Sequence, residues 1–100
     1  MSTNFTNEDK MKIEIYTRAQ PHCPYCLNAK KWLQANNLIY TNYDINEGNN
    51  LQDLETRLGR PPSTVPQIFI NDELIGGYTD LIASDFAKSL IRRDLGGLTL

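Results

Sequence analysis

The chain has 100 residues, a hydrophobic content of 40% and a formal net charge of −2 at pH 7. This length suits one domain, which can bury a sufficient core without metal or disulfide cross-links. The slightly acidic balance argues against a nucleic-acid binder, which usually has a basic face. Since no apolar run approaches the roughly 20 residues of a membrane span, we expect no membrane partner either.

The two ends of the chain are predicted to lie outside the folded domain. Residues 1–11 are mostly polar, and because termini without apolar anchors fray, we expect a disordered tail there. They do not have the pattern of a signal peptide. The domain is predicted to span residues 12–96, followed by a short tail at 97–100. Without an export signal, the expected location is the reducing cytoplasm.

The first half of the domain predicts two strands around a helix. Lys12–Thr17 alternates isoleucines with Glu14 and predicts a strand, and a loop follows at Arg18–His22. A helix is expected from Pro24 to about residue 36, and Ile39–Ile45 predicts the second strand. Three residues of the helix share its predicted buried face: Cys26, Ala29 and Leu33.

The second half predicts a helix, a hairpin and a last helix. Gly48–Leu58 has a leucine stripe, and Gly59 fits its C-terminal cap. Gln67–Ile70 and Glu73–Ile75 flank a two-residue turn and predict antiparallel strands. One continuous helix is expected from about residue 79 until the glycine pair at 96–97. Its predicted apolar face is made of Ile82, Ala83, Phe86, Ala87, Leu90 and Ile91.

The order of elements predicts the fold class. It is β-α-β-α-β-β-α, in which the first β-α-β unit implies a parallel strand pair with a right-handed crossover. The hairpin adds antiparallel strands. We therefore expect an α/β domain of the thioredoxin-like type, with a mixed four-stranded sheet flanked by helices.

The two cysteines of the chain lie three positions apart, where the first strand hands over to the first helix. Cys23 is predicted to be the N-cap residue and Pro24 the first helical residue, a favoured place for proline. The free amides of Tyr25 and Cys26 then point back at the Cys23 sulfur and favour its thiolate. We expect Cys23 to be a nucleophile with a depressed pKa beside a cleft, and Cys26 to be the resolving thiol.

A C-x-x-C pair also occurs in zinc sites and as a passive disulfide. A structural zinc site needs about four ligands, and this chain offers two cysteines and His22. His22 and Cys23 are adjacent, so their side chains can hardly both face one metal. No metal is therefore expected. His22 fits a solvent-facing loop residue better than a base for Cys23.

Two further segments are candidates for binding. In Thr64-Val65-Pro66, a proline that opens a strand beside the motif is expected to form a cis bond, which would turn the Val65 backbone outward to pair with an extended peptide. The glycine pair before the last helix would let a ligand backbone approach closely. Free amides at that helix start suit a carboxylate, and Asp80 suits an ammonium; the alternative is a plain turn capped by Thr79.

Four segments together, IEIYT, CPYC, TVPQIFIN and IGGYTDL, closely resemble the dithiol (CPYC-type, class I) glutaredoxins of the thioredoxin-like superfamily. The resemblance runs from about Lys12 to Leu95. The second cysteine separates the chain from single-thiol glutaredoxins. The Pro-Tyr pair between the cysteines, and the glycine pair followed by Asp80, separate it from thioredoxins.

The resemblance implies a monomeric, glutathione-dependent oxidoreductase that reduces protein disulfides and glutathione mixed disulfides. Cys23 attacks, Cys26 resolves protein disulfides, and glutathione is the reducing co-substrate. The implied partners are glutathione and disulfide-bearing or glutathionylated proteins. The implied glutathione-binding residues are Arg18, Tyr25, Arg60, Thr64, Val65, Pro66, Gly77, Tyr78, Thr79 and Asp80.

Two segments depart from the family pattern. The segment from Thr17 to His22 looks about two residues longer, so that Arg18 or Gln20 takes the place of a family lysine. The segment from Gly59 to Ser63 also looks about two residues longer. This length affects whether Arg60 reaches the glutathione carboxylate. Two rival functions stay open: a dimer that binds a glutathione-ligated iron–sulfur cluster through Cys23, and a thioredoxin-like protein reduced by a flavoenzyme.

Overall fold

The computed structural model describes residues 12–90. The predicted tails at 1–11 and 97–100 and the predicted helix end at 96–97 lie outside these residues. The chain order is two β-α units, a hairpin and a terminal helix, as the pattern predicted. The elements are β1 (Ile13–Thr17), α1 (Pro24–Ala35), β2 (Thr41–Asp44), α2 (Asn50–Leu58), β3 (Gln67–Ile70), β4 (Glu73–Gly76) and α3 (Tyr78–Ile82).

The four strands form one mixed sheet in the order β2-β1-β3-β4. Strand β1 pairs in parallel with β2 and antiparallel with β3, and β3 pairs antiparallel with β4. The parallel pair arises because α1 carries the chain back to the start of the sheet. This confirms the thioredoxin-like class and places the carboxyl end of β1 next to the start of α1.

The main core joins the sheet to α1 and α3. Helix α1 buries the three predicted residues at helical spacing, Cys26, Ala29 and Leu33. They pack in or beside a cluster drawn from β1, β3, α1 and α3: Ile13, Ile15, Ala29, Leu33, Ile68, Ile70 and Leu81. A second cluster of Tyr16, Leu54 and Phe69 joins α2 to the sheet. Both faces of β1 are therefore covered.

Glu14 on β1 is buried, at 8% exposure, although the alternating pattern placed it between two inward isoleucines. Burial of a carboxylate requires a partner, and Arg57 of α2 supplies one at 2.9 Å. The same guanidinium donates to the Tyr16 hydroxyl at 3.1 Å and lies 3.9 Å from the centre of the Phe69 ring. The Tyr43 hydroxyl donates to the other Glu14 oxygen at 3.3 Å.

This cluster changes how its polar groups titrate. Burial raises the pKa of Tyr43 above its usual value of 10.0, and the nearby Glu14 carboxylate adds to the rise. The pKa of Arg57 is also raised, because hydrogen bonds to Tyr16 and Glu14 outweigh the opposing effect of burial. The guanidinium therefore stays charged and the phenol stays neutral over the physiological range.

The last helix is not continuous, contrary to the prediction. Helix α3 ends at Ile82, and residues 85–90 form a separate helical segment. Ser84 begins the second segment, because its hydroxyl accepts a hydrogen bond from the Ala87 N–H at 3.1 Å, as an N-cap does. Leu81 of α3 and Ala87 of the second segment are buried, whereas Ile82, at 40% exposure, and Ala83 were predicted on the apolar face and are exposed.

Strand β2 and helix α2 differ from their predicted bounds by two or more residues, and β1 and β4 by one. Strand β2 covers four residues of the predicted seven, and α2 begins two residues later than predicted. The predicted C-terminal cap of α2 is confirmed: Gly59 has φ of 77°, and its N–H donates to the Glu55 carbonyl at 2.8 Å. A helix C-terminus in this left-handed conformation favours glycine.

No helix among residues 12–90 is long and apolar enough to cross a bilayer.

Candidate active site

The site begins at the junction of the β1–α1 loop and α1. Cys23 is the N-cap residue of α1, with φ of −130° and ψ of 95°, and Pro24 is the first helical residue. The Cys26 backbone N–H donates to the Cys23 sulfur across 3.2 Å. The predicted N-cap is thus present, with the predicted bond from Cys26: a cysteine sulfur takes the place that a serine or aspartate oxygen takes at most helix N-caps.

Cys23 and Cys26 form a disulfide, with their Cα atoms 5.3 Å apart. Cys23 retains 6% exposure and Cys26 has 2%. The Cys23 sulfur lies 3.6 Å from the carbonyl oxygen of Val65. Val65 packs with the two cysteines in a small cluster, against which Ile45 also packs. In this oxidised form the disulfide is therefore largely covered, and Cys23 is the more exposed of the two cysteines.

The Val65–Pro66 peptide bond is cis, as predicted. Pro66 is buried, and it immediately precedes β3. Val65 both touches the Cys23 sulfur and lines a cleft on the surface. Neither cysteine is itself in the cleft lining, and the disulfide adjoins the cleft through Val65, the residue before the proline.

The cleft has a volume of about 580 Å³. Nine of the ten predicted glutathione-binding residues line it: Tyr25, Arg60, Thr64, Val65, Pro66, Gly77, Tyr78, Thr79 and Asp80. The lining also contains Gly76, which belongs to the glycine pair predicted to let a ligand backbone approach, and three residues that were not predicted: Gln67, Leu74 and Ile75. The signal that could have predicted these three as lining residues was their position at the end of the sheet. Gln67, for example, directly follows the predicted cis proline.

Two tyrosines face each other across the cleft mouth. The rings of Tyr25 and Tyr78 are stacked with their centroids 6.5 Å apart. Tyr25 lies in the first turn of α1 and is 59% exposed. Leu74 adds an exposed apolar side chain to the wall. An apolar rim of this kind suits a ligand that has hydrocarbon as well as polar groups.

At the start of α3 the Asp80 carboxylate accepts a hydrogen bond from the Gly77 N–H at 2.9 Å. Gly77 is the N-cap residue, so the cap here is not Thr79. Gly76 has φ of 117°, and a Cβ at this position would collide with the Asp80 carboxylate. Asp80 thus has a structural partner, and its exposed carboxylate still lines the cleft.

Arg18 is the predicted site residue that does not line the cleft. Its Nε donates to the Pro21 carbonyl at 3.0 Å, within its own loop. Gln20, the alternative to Arg18, is exposed, and its carbonyl accepts from the Asn46 side chain at 2.7 Å. The structure therefore places neither residue in the cleft lining. His22 is exposed.

A metal site needs several convergent ligands, and residues 12–90 contain no group of three or more His, Cys, Asp or Glu side chains with that arrangement. The chemistry offered by the described residues is that of a dithiol–disulfide pair. A cysteine at a helix N-cap, a second cysteine one turn later and an adjoining cleft form a site for thiol–disulfide exchange.

Comparisons with known proteins agree with this chemistry. Residues 13–75 match the family model described as glutaredoxin. A curated glutaredoxin of Vibrio cholerae is 43% identical over 79 residues, which cover 73% of this chain and 88% of that protein. The crystal structure of glutaredoxin 1 from Francisella tularensis, complexed with cacodylate, is 40% identical with a TM-score of 0.63, covering 82% of this chain and 98% of that one.

A buckwheat glutaredoxin–glutathione complex has the same fold, with a TM-score of 0.64 at 20% identity over 82% of this chain and 74% of that one. The geometry of the Cys23–Cys26 pair and the matches to the family model and the Vibrio relative lead to one assignment. The chain belongs to the glutaredoxin family and is a thiol–disulfide oxidoreductase.

Proposed function

We propose that this oxidoreductase depends on glutathione and reduces both protein disulfides and glutathione mixed disulfides through Cys23 and Cys26. The observation that carries the proposal is the 3.2 Å contact from the Cys26 N–H to the Cys23 sulfur, which lies against Val65 of the cleft lining. A hydrogen bond from a free helix amide stabilises a thiolate more than a thiol. Cys23 is therefore the nucleophile at neutral pH.

Reduction of a protein disulfide takes two exchange steps. The Cys23 thiolate attacks one substrate sulfur, which forms a mixed disulfide and releases the other substrate sulfur as a thiolate that takes up a proton. Cys26, deprotonated, then attacks the Cys23 sulfur, which releases the reduced substrate and leaves the Cys23–Cys26 disulfide. The Cα separation of 5.3 Å in the oxidised pair is within the ordinary range for a disulfide.

Two glutathione molecules restore the dithiol. The thiolate of the first attacks the Cys23 sulfur, which forms a Cys23–glutathione mixed disulfide and frees Cys26. The thiolate of the second attacks the glutathione sulfur of that mixed disulfide, which releases glutathione disulfide and the Cys23 thiolate. Electrons thus pass from two glutathione thiols to one substrate disulfide. Family membership supports glutathione as the reductant.

The cleft offers a matching group for each part of a tripeptide thiol. The Val65 backbone, beside the cis proline and 3.6 Å from the Cys23 sulfur, suits the cysteine backbone of glutathione. Asp80 suits its ammonium group, Arg60 suits its glycine carboxylate, and Tyr25 forms a wall. Arg18 reaches this carboxylate only if its side chain leaves the Pro21 carbonyl. The remaining contacts are proposed for Thr64, Pro66, Gly77, Tyr78 and Thr79.

A reducing compartment suits this activity, because glutathione keeps thiols reduced there. We therefore propose that the protein works in the cytoplasm, as a monomer, with disulfide-bearing or glutathionylated proteins as its substrates. The pair of cysteines three positions apart fits a catalytic dithiol better than a structural cross-link, because the loop that it closes is too short to gain much stability.

A glutathione-coupled assay with a glutathione mixed disulfide and with a protein disulfide tests the proposal on wild type, Cys23→Ser and Cys26→Ser. Cys23→Ser should lose turnover of both substrates. Cys26→Ser should keep reduction of the mixed disulfide and lose most reduction of the protein disulfide. An active Cys23→Ser beside an inactive Cys26→Ser would reverse the roles of the two cysteines. Undiminished turnover without glutathione would contradict the proposal that glutathione is the reductant.

A further inference from the structure

We propose that Asn46 is a positioning residue for Cys23: its hydrogen bond to the Gln20 carbonyl holds the loop that leads into the nucleophile. The Asn46 Nδ2 donates to this carbonyl at 2.7 Å, across 26 residues of sequence. Gln20 lies three residues before Cys23 in the β1–α1 loop. The inference rests on the proposed role of Cys23 as the nucleophile.

The β1–α1 loop is exposed and has few bonds that hold it to the rest of the domain. Residues 18–22 have no helix or strand structure, and four of the five are exposed. Within the loop, the Arg18 Nε bonds the Pro21 carbonyl, which ties the loop to itself but not to the rest of the domain. Exposed loops with few contacts are the more mobile parts of a protein. The Asn46 bond connects this loop to the sheet side of the domain.

The backbone of Asn46 is bonded to the end of β2. Its backbone N–H donates to the Asp44 carboxylate at 2.8 Å, at the end of β2. The preceding residue, Ile45, donates its N–H to the Thr17 carbonyl at 2.8 Å and packs against the cluster of Cys23, Cys26 and Val65. A single short segment therefore touches the disulfide through one residue and the loop before it through the next.

The position of Cys23 matters for its reactivity. Its sulfur receives the Cys26 N–H only while Cys23 keeps the extended backbone of an N-cap residue. If the preceding loop moves more freely, this geometry is less often occupied and the thiolate loses part of its stabilisation. Loss of the Asn46 side chain should therefore slow alkylation of Cys23 at pH values below the pKa of its thiol. At pH values above that pKa the rate should be unchanged.

The experiment compares Asn46→Ala with Asn50→Ala in the full chain carrying Cys26→Ser, so that Cys23 is the only thiol. Asn50 is a matched control: its Nδ2 donates to the Asp44 carbonyl at 2.9 Å, a bond that stays within the β2–α2 segment. Both substitutions delete one amide-to-carbonyl bond and keep every backbone donor. Iodoacetamide alkylation of reduced protein is followed from pH 4 to 10, and urea unfolding measures the stability of each variant.

For Asn46→Ala we expect alkylation about threefold slower than the control at pH below the thiol pKa and equal at high pH, which corresponds to a rise of about half a unit in the pKa of Cys23. Profiles that coincide for the two variants, or an equal slowing at every pH, would overturn the role of Asn46. If the pKa of Cys23 in the Asn50→Ala control is at or above about 8.5, the proposed role of Cys23 as the nucleophile is contradicted instead.

Discussion

The Asp80 carboxylate accepts a hydrogen bond from the Gly77 N–H at 2.9 Å, and Asp80 also lines the cleft. One residue therefore has both a structural and a proposed binding role, and the two can be separated. Asp80→Asn keeps an acceptor oxygen for Gly77 but removes the charge proposed to attract the glutathione ammonium. We expect its unfolding free energy to stay within about 0.5 kcal/mol of wild type.

The same variant should raise the KM for glutathione about fivefold, because an ion pair at a partly exposed site contributes roughly 1 kcal/mol. Asp80→Ala is the comparison, since it removes the acceptor as well and should also cost about 1 kcal/mol of stability. Steady-state assays and urea unfolding measure the two effects. An unchanged KM in Asp80→Asn would rule out the ammonium contact.

Gly76 is the glycine that the structure requires at the cleft. Its φ of 117° is rarely adopted by residues with a side chain, and a Cβ would meet the Asp80 carboxylate. Gly76→Ala should lower the unfolding free energy by about 2 kcal/mol or more. Gly77→Ala is the control, since a Cβ there is 3.6 Å from its nearest neighbour, an ordinary contact, and its φ is −91°. Equal losses in the two variants, measured by urea unfolding, would contradict this assignment.

Arg57 is expected to stabilise the fold much more than an exposed lysine does. Arg57→Met removes the partner of the buried Glu14 carboxylate and should cost about 2–3 kcal/mol. Lys12→Met removes a pair with Asp72 in which both side chains are exposed, and should cost less than about 1 kcal/mol. The double variant Glu14→Leu/Arg57→Met should be more stable than Arg57→Met alone, because it leaves no buried unpaired charge. Thermal or urea unfolding would contradict this if the double variant were the least stable.

Tyr43 should make the folded protein less stable in strong alkali. Burial, with Glu14 nearby, raises its pKa in the folded state above 10.0. As pH rises past the unfolded value, the unfolded chain loses this proton first, so the folded state loses stability until the folded pKa is passed. Tyr43→Phe should show a shallower loss of stability above about pH 10. In this variant the tyrosinate absorbance of the folded protein should lose a component that titrates above pH 10 in wild type; an unchanged titration above that pH would contradict the raised pKa.

The local part of the site was predictable from the sequence. The cysteine spacing, the proline at the first helical position and the break between strand and helix all act within a few residues, so Cys23 could be placed at the cap of α1. The same holds for the cis bond at Pro66 and for Gly59 at the end of α2. Periodicity also gave the correct buried residues of α1, because helix packing selects one face.

Two features were not predicted although the contacts behind them are local. The single helix predicted from about residue 79 is interrupted because the Ser84 hydroxyl caps a new helical segment, a local signal that the long apolar pattern outweighed. The Arg18 side chain lies outside the cleft lining and bonds Pro21 within its own loop. Loop conformation has no periodicity from which to infer it.

The sequence by itself determined the order of the elements, the family and the chemistry of the cysteine pair, since these follow from spacing, helix capping and motif. Only the tertiary structure decided that Glu14 is buried against Arg57 and that Asn46 reaches the Gln20 carbonyl. These partners lie 43 and 26 residues apart. Nothing in the local pattern selects them, because which polar side chains meet is decided by how α2 and the loops pack around the sheet.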